Sequence, residues 1–129
     1  MNSKKPVPLG IIAIAVIMFF AALATDIFWL AKLLGKDFPA TIPVEEKVYN
    51  AFAAPDLLLS VFLYVGAIGL LRGRKYGLAA TFLAMGMWLF DSLLVLGITK
   101  LDRINIVGPC LFFVCFTVIY LWRKQAFFD

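Results

Sequence analysis

The chain contains no histidine. The commonest metal ligand and the usual proton-transfer residue near neutral pH are therefore both missing. Charge is scarce too: 16% of the 129 residues are charged, against 64% hydrophobic. A soluble domain of this length does not carry so apolar a composition, which places the chain among integral membrane proteins, with room for one domain only. Cysteine is limited to Cys110 and Cys115. Their C-x4-C spacing is neither a redox nor a zinc pattern. On a helix they would point about 140° apart and could not bridge, so both are read as plain apolar-run thiols. The few basic residues are scattered over short turns, with no surface on which a duplex could lie, and nucleic acid is excluded as a partner. No cofactor is expected, because nothing supplies a phosphate cradle or a nucleophile–base pair.

What is present is a set of four long apolar runs, at about 7–34, 49–71, 76–99 and 104–122. Each is long enough to cross a hydrocarbon layer of roughly 30 Å. The expected fold is an all-α integral membrane protein, a bundle of four transmembrane helices. Lys4, Lys5, Arg72, Arg74, Lys75, Arg123 and Lys124 fall on one side with Asp129 as the sole acid, a net +6. The other side sums to −2 when three intramembrane aspartates are included, and the two sides together give the formal +4. The positive-inside rule then puts both termini in the cytoplasm, N-in and C-in, most simply in a plasma (inner) membrane. Lys4, Lys5, the apolar run and Ala22-Leu23-Ala24 resemble a signal peptide, but the run continues to Leu34, so an uncleaved first span is expected. Arg72, Arg74 and Lys75 form a tight basic turn that should face anionic lipid headgroups. The connection from Gly35 to Val48, with Pro39 and Pro43, is long enough to fold over the outer end.

The two halves show a faint internal likeness. Asp26 precedes Lys36 by ten residues and Asp91 precedes Lys100 by nine; Trp29 and Trp88 each lie one turn from an aspartate. Asn50 and Pro55 open the second span as Asn105 and Pro109 open the fourth. Two related helical hairpins would explain this, or the small alphabet of apolar segments would.

The chemistry-bearing feature is the trio Asp26, Asp56 and Asp91. With the orientation above, all three fall at a similar depth near the outer face, and a carboxylate in hydrocarbon must be paired, protonated or wetted. Tyr49, Asp56, Ser60 and Tyr64 follow 7, 4 and 4 spacing and form one helical stripe. Pro55 frees a carbonyl one turn earlier and should loosen the helix beside Asp56. Acids gathered in low dielectric would hold a proton, a hard cation or an organic ammonium. Trp29 and Trp88 would offer aromatic faces to a cationic or amphipathic small ligand. The competing structural reading pairs each aspartate with Lys32, Lys36, Lys100 or Arg103 and makes the tryptophans ordinary interfacial belts. Small residues, Ala80 and Ala84 with Ala21, Ala22, Ala24, Gly66 and Gly69, are read as helix-packing positions. Phe112, Phe113 and Phe116 are read as lipid-facing or core.

In size, span count and an acid plus tryptophan in the first span, the chain resembles small multidrug-resistance transporters. It departs from them in using an aspartate near one face where they use a glutamate near the middle, and in its strong charge asymmetry. It is similar in outline to the sterol-isomerase and sigma-2 receptor superfamily, with an aspartate in the first span and a proline early in the last. Four-helix quinone reductases need cysteine pairs that are missing here. No family motif is present, so no catalytic residue is carried over. Three functions stay open. One is an acidic pocket for a cation, proton or amphipathic amine. Another is an accessory subunit of a homo-oligomer or larger membrane complex. The last is an enzyme or binding protein for a lipid or sterol-like molecule.

Overall fold

The structure is a computed structural model and describes residues 5–36 and 45–129. The regular elements among them are helical: α1 (Leu9–Leu33), α2 (Glu46–Ala51), α3 (Ala53–Leu71), α4 (Lys75–Ile98), α5 (Ile104–Arg123) and a short 3-10 turn, Gln125–Phe127. Four helical segments, with α2 and α3 together counting as one, are long and apolar enough to cross a membrane. Their bounds agree with the four expected spans to within a turn. Lys4, Asp37, Pro39 and Pro43, and with them most of the long connection, lie outside the described residues.

The expected connection extended to Val48, but Glu46, Lys47 and Val48 are already helical. That helix is interrupted at Phe52, between α2 and α3. Pro55 supplies the reason: it has no N–H to offer the Ala51 carbonyl one turn earlier. The helix resumes with Asp56 N–H donating to Phe52 O at 2.9 Å.

Helix α3 sits at the centre, packed along α1 on one side and α4 on the other, while α5 lies against α4. Stripes at helical spacing make the core: Ile11, Ile14, Ala15, Met18 and Ala22 on α1 meet Leu59, Leu63, Ala67 and Leu70 on α3, with Ala84, Met85, Val114 and Leu121 behind them. The tightest approach lies beside the α3–α4 turn. A Cβ on Gly69 would run into the backbone of Gly77, and one on Gly77 into the backbone of Gly69. Two backbones therefore touch there, the close approach that small residues allow. One turn on, Gly66 leaves room for Thr81 and Met18, and the Thr81 hydroxyl donates to Gly77 O at 2.7 Å. The small-residue pattern anticipated Gly66 and Gly69; it did not anticipate Gly77.

The turn itself is closed by Gly73 at φ 64°, where the left-handed backbone costs glycine nothing. Arg74 N–H reaches back to Gly69 O at 2.9 Å and ends α3 as a Schellman cap. The C-terminal residues fold over this turn. Asp129 N–H donates to Gly73 O at 2.9 Å, Lys75 N–H donates to Asp129 O at 2.7 Å, and Phe128 is buried in the main core. The start of α1 closes the same end, since a Cβ on Gly10 would land on the Tyr120 ring of α5.

Candidate functional site

The other end of the bundle, where α2 lies, carries the polar groups. Trp29 on α1 donates its indole N–H to Asp56 Oδ2 at 2.9 Å across the α1–α3 interface. Antiparallel pairing of α3 with α4, fixed by the Gly69–Gly77 contact, brings Asp91 level with Asp56. The two carboxylates are close enough to act on each other through their charges. Asp91 Oδ2 is buried and has no hydrogen-bond partner. Among the described residues no lysine or arginine forms an ion pair with any of the three aspartates.

A groove of about 370 Å³ on the side of the bundle is lined by Asp91 together with Pro55, Phe82, Leu83, Gly86, Met87 and Phe90. Its wall is one stripe of α4 with Pro55 as the facing lip. Nothing lies within 4 Å of where a Gly86 Cβ would be, so a side chain there would have open space. The site thus pairs an unsatisfied carboxylate oxygen with an apolar trough, the combination that buried polar atoms normally avoid.

The sequence-derived trio does not converge on one point. Asp26 is drawn away from the other two, to the Tyr64 phenol of α3 beside it; the Tyr64 ring also meets Phe19 edge-on at 5.4 Å. Ser60 is buried and donates to the Leu57 carbonyl of its own helix at 2.8 Å. That leaves it a helix-packing residue instead of a path-lining one. Trp88, expected as an aromatic wall, is turned to α5, where its ring centroid stands 5.5 Å from that of Phe113. Trp29 does stand beside an acid, although the acid is Asp56 on another helix and not its own neighbour Asp26.

Tyr49 joins a second apolar cluster with Trp29, against which Phe28, Phe52, Ala53, Val95 and Ile98 pack. The Trp29 and Tyr49 centroids are 5.9 Å apart. Lys32 takes neither Asp26 nor Asp56 as partner. Its ammonium sits over the Tyr49 ring at 3.7 Å and the Trp29 ring at 5.6 Å, a cation–π contact. Arg72, Arg74 and Lys75 are exposed at the opposite end. Among the described residues no group of three or more His, Cys, Asp or Glu side chains is placed to hold a metal ion.

The groove residues Phe82, Leu83, Gly86, Met87 and Phe90 were missed in the sequence. One signal was available: Phe82, Gly86 and Phe90 recur at a spacing of four, one face of a helix that leads to Asp91. No known protein family matches the chain, and neither a curated protein nor a solved structure does.

Proposed function

We propose that this chain is a small membrane-spanning binding or transport protein whose acidic pocket, Asp91 with Asp56, takes an organic ammonium. One observation carries the reading: the Asp91 carboxylate lines an apolar groove while its Oδ2 is buried without a partner. A carboxylate oxygen in that position calls for a cation or a proton. A proton alone would need no trough of about 370 Å³. A hard metal ion would have to keep several waters to complete its shell around two carboxylates, and it would leave the apolar trough unused. An ammonium head with an apolar body satisfies both halves of the site. Trp29 holds Asp56 in place from behind, so that its charge is fixed beside Asp91 without a ligand. In this reading both termini lie on the cytoplasmic side and the acids lie towards the outer face, as the charge asymmetry implies.

Binding of a fluorescent hydrophobic amine to the protein in lipid nanodiscs tests this. Asp91→Asn should lower affinity at least about tenfold, close to the loss of one charge-assisted contact. Asp26→Asn, next to Tyr64 on the other face of α3, should leave it within about threefold on the same scale. Unchanged affinity in both Asp91→Asn and Asp56→Asn overturns the proposal.

The open side of the groove also supports a second reading, in which a lysine or arginine of a neighbouring subunit reaches Asp91. The stacked rings of Phe112, Phe116 and Tyr120 give α5 a further outward apolar face. Loss of a stable larger assembly in Asp91→Asn, with no amine binding in the wild type, would favour that subunit role.

A further inference from the structure

Resting on the acidic-pocket reading, we infer that the ligand reaches Asp91 sideways, through the flank of the bundle, so that its class is a bilayer-dissolved amine and not a water-borne cation. The helical stripes that carry the two acids also carry a lid over them. On the α2–α3 segment, Tyr49, Phe52 and Ala53 lie within seven residues before Asp56, towards the α2 end of the bundle. On α4, Val95 and Ile98 follow Asp91 by four and seven residues, on its face. These five, with Phe28 and Trp29 of α1, are the members of one packed apolar cluster. Trp29 is 9% exposed and Tyr49 8%. Lys32 presses the Tyr49 ring from outside at 3.7 Å. The end of the bundle nearest the acids is therefore closed by tightly packed rings.

The flank is built the opposite way. Leu83 is 49% exposed and Phe90 66%, and the trough they line leads to Asp91 without crossing the lid. From Phe82 to Asp91 the helix rises about 14 Å, the length of an extended chain of roughly ten carbons. A water-borne cation would have to unseat Trp29 and with it the Trp29–Asp56 hydrogen bond. An amine already in hydrocarbon lays its body along Phe82, Leu83 and Gly86 and brings its head to Asp91 with the lid intact.

Two probes with one head group separate the routes: tetramethylammonium, which stays in water, and decyltrimethylammonium, which partitions into lipid. Binding is measured by calorimetry on the protein in nanodiscs, with empty nanodiscs subtracted. Decyltrimethylammonium should bind, and Gly86→Phe, which fills the trough without touching acid or lid, should weaken it at least about tenfold. Leu83→Trp, on the exposed rim, should weaken it in the same direction; a circular dichroism melt matching the wild type shows that the loss is not unfolding. Tyr49→Ala, which thins the lid, should change its affinity by less than about threefold. Tetramethylammonium should bind at least about tenfold more weakly than decyltrimethylammonium. If tetramethylammonium binds as well and Tyr49→Ala strengthens it, while neither trough variant matters, lateral access is wrong and the acidic pocket survives. If neither probe binds the wild type, or if Asp91→Asn leaves binding unchanged, the pocket itself is wrong and this inference goes with it.

Discussion

Helices α3 and α4 meet twice, in opposite ways. Beside their turn, Gly69 and Gly77 bring backbone against backbone with no side chain between. Near α2 the same two helices carry Asp56 and Asp91 within electrostatic reach of each other, and a trough opens beside Asp91. The first contact is dry, apolar and further locked by Phe128 and by the Asp129 pairing with Gly73 and Lys75. The second holds an unsatisfied oxygen under a lid of rings. The difference teaches where stability and function are divided. Close packing of small residues supplies cohesion between helices. One end concentrates it, which lets the other carry polar groups that packing alone would reject.

The largest test of that division is one substitution made at two glycines. Gly77→Ala should destabilise the bundle by about 3 kcal/mol, at the upper end of overpacking costs, because its new methyl meets backbone that has nowhere to move. Gly86→Ala, in the same helix with open space around it, should be neutral or gain up to about 1 kcal/mol from helix propensity. Unfolding in graded denaturant with lipid or mild detergent present reads both, and equal effects at the two sites would erase the contrast.

A middle-sized effect is expected at the polar end. Trp29→Phe keeps the ring and deletes the N–H that Asp56 accepts, for an expected loss of about 2 kcal/mol, typical of a hydrogen bond to a charged group. Trp88→Phe, against Phe113, should cost clearly less in the same assay. If the two variants match, Trp29 is merely one more packed ring.

The smallest effect belongs to Lys32→Met. It removes the ammonium over Tyr49 and should cost no more than about 1 kcal/mol, the range for an exposed cation–π contact. Faster amide exchange confined to α2 would show that the lysine clamps that helix to the lid. Exchange unaltered at Val48 and Tyr49 would remove Lys32 from the lid.

The four spans were legible because apolar runs of this length admit few other structures. The break at Phe52 was half legible: Pro55 announced a freed carbonyl, but not that the helix would stop and restart there. Grouping the acids was harder. Asp26, Asp56 and Asp91 share a depth, yet depth says nothing of rotation about a helix axis. On helices apolar almost all round, hydropathy sets no facing side. Asp26 therefore turned to Tyr64 and Trp88 to Phe113, although spacing along the chain had linked each to a different neighbour. Trp29 reached Asp56 through an interface that only tertiary packing defines. The tail is not legible in the sequence, because Phe127 and Phe128 follow the basic pair Arg123 and Lys124 that closes the last apolar run.

The Gly69–Gly77 contact also works as the zero mark of a ruler. Asp56 stands thirteen residues along α3 from Gly69, and Asp91 fourteen along α4 from Gly77, each a distance of about 20 Å at helical rise. Whether the two carboxylates come level is thus gauged from a point that neither of them touches. Adding one residue to α4 between Gly77 and Asp91 would advance Asp91 by about 1.5 Å and swing it about 100° round the axis, out of the trough. The composition of the chain would hardly change, and every span would still be long enough to cross. Only the calibration would be lost.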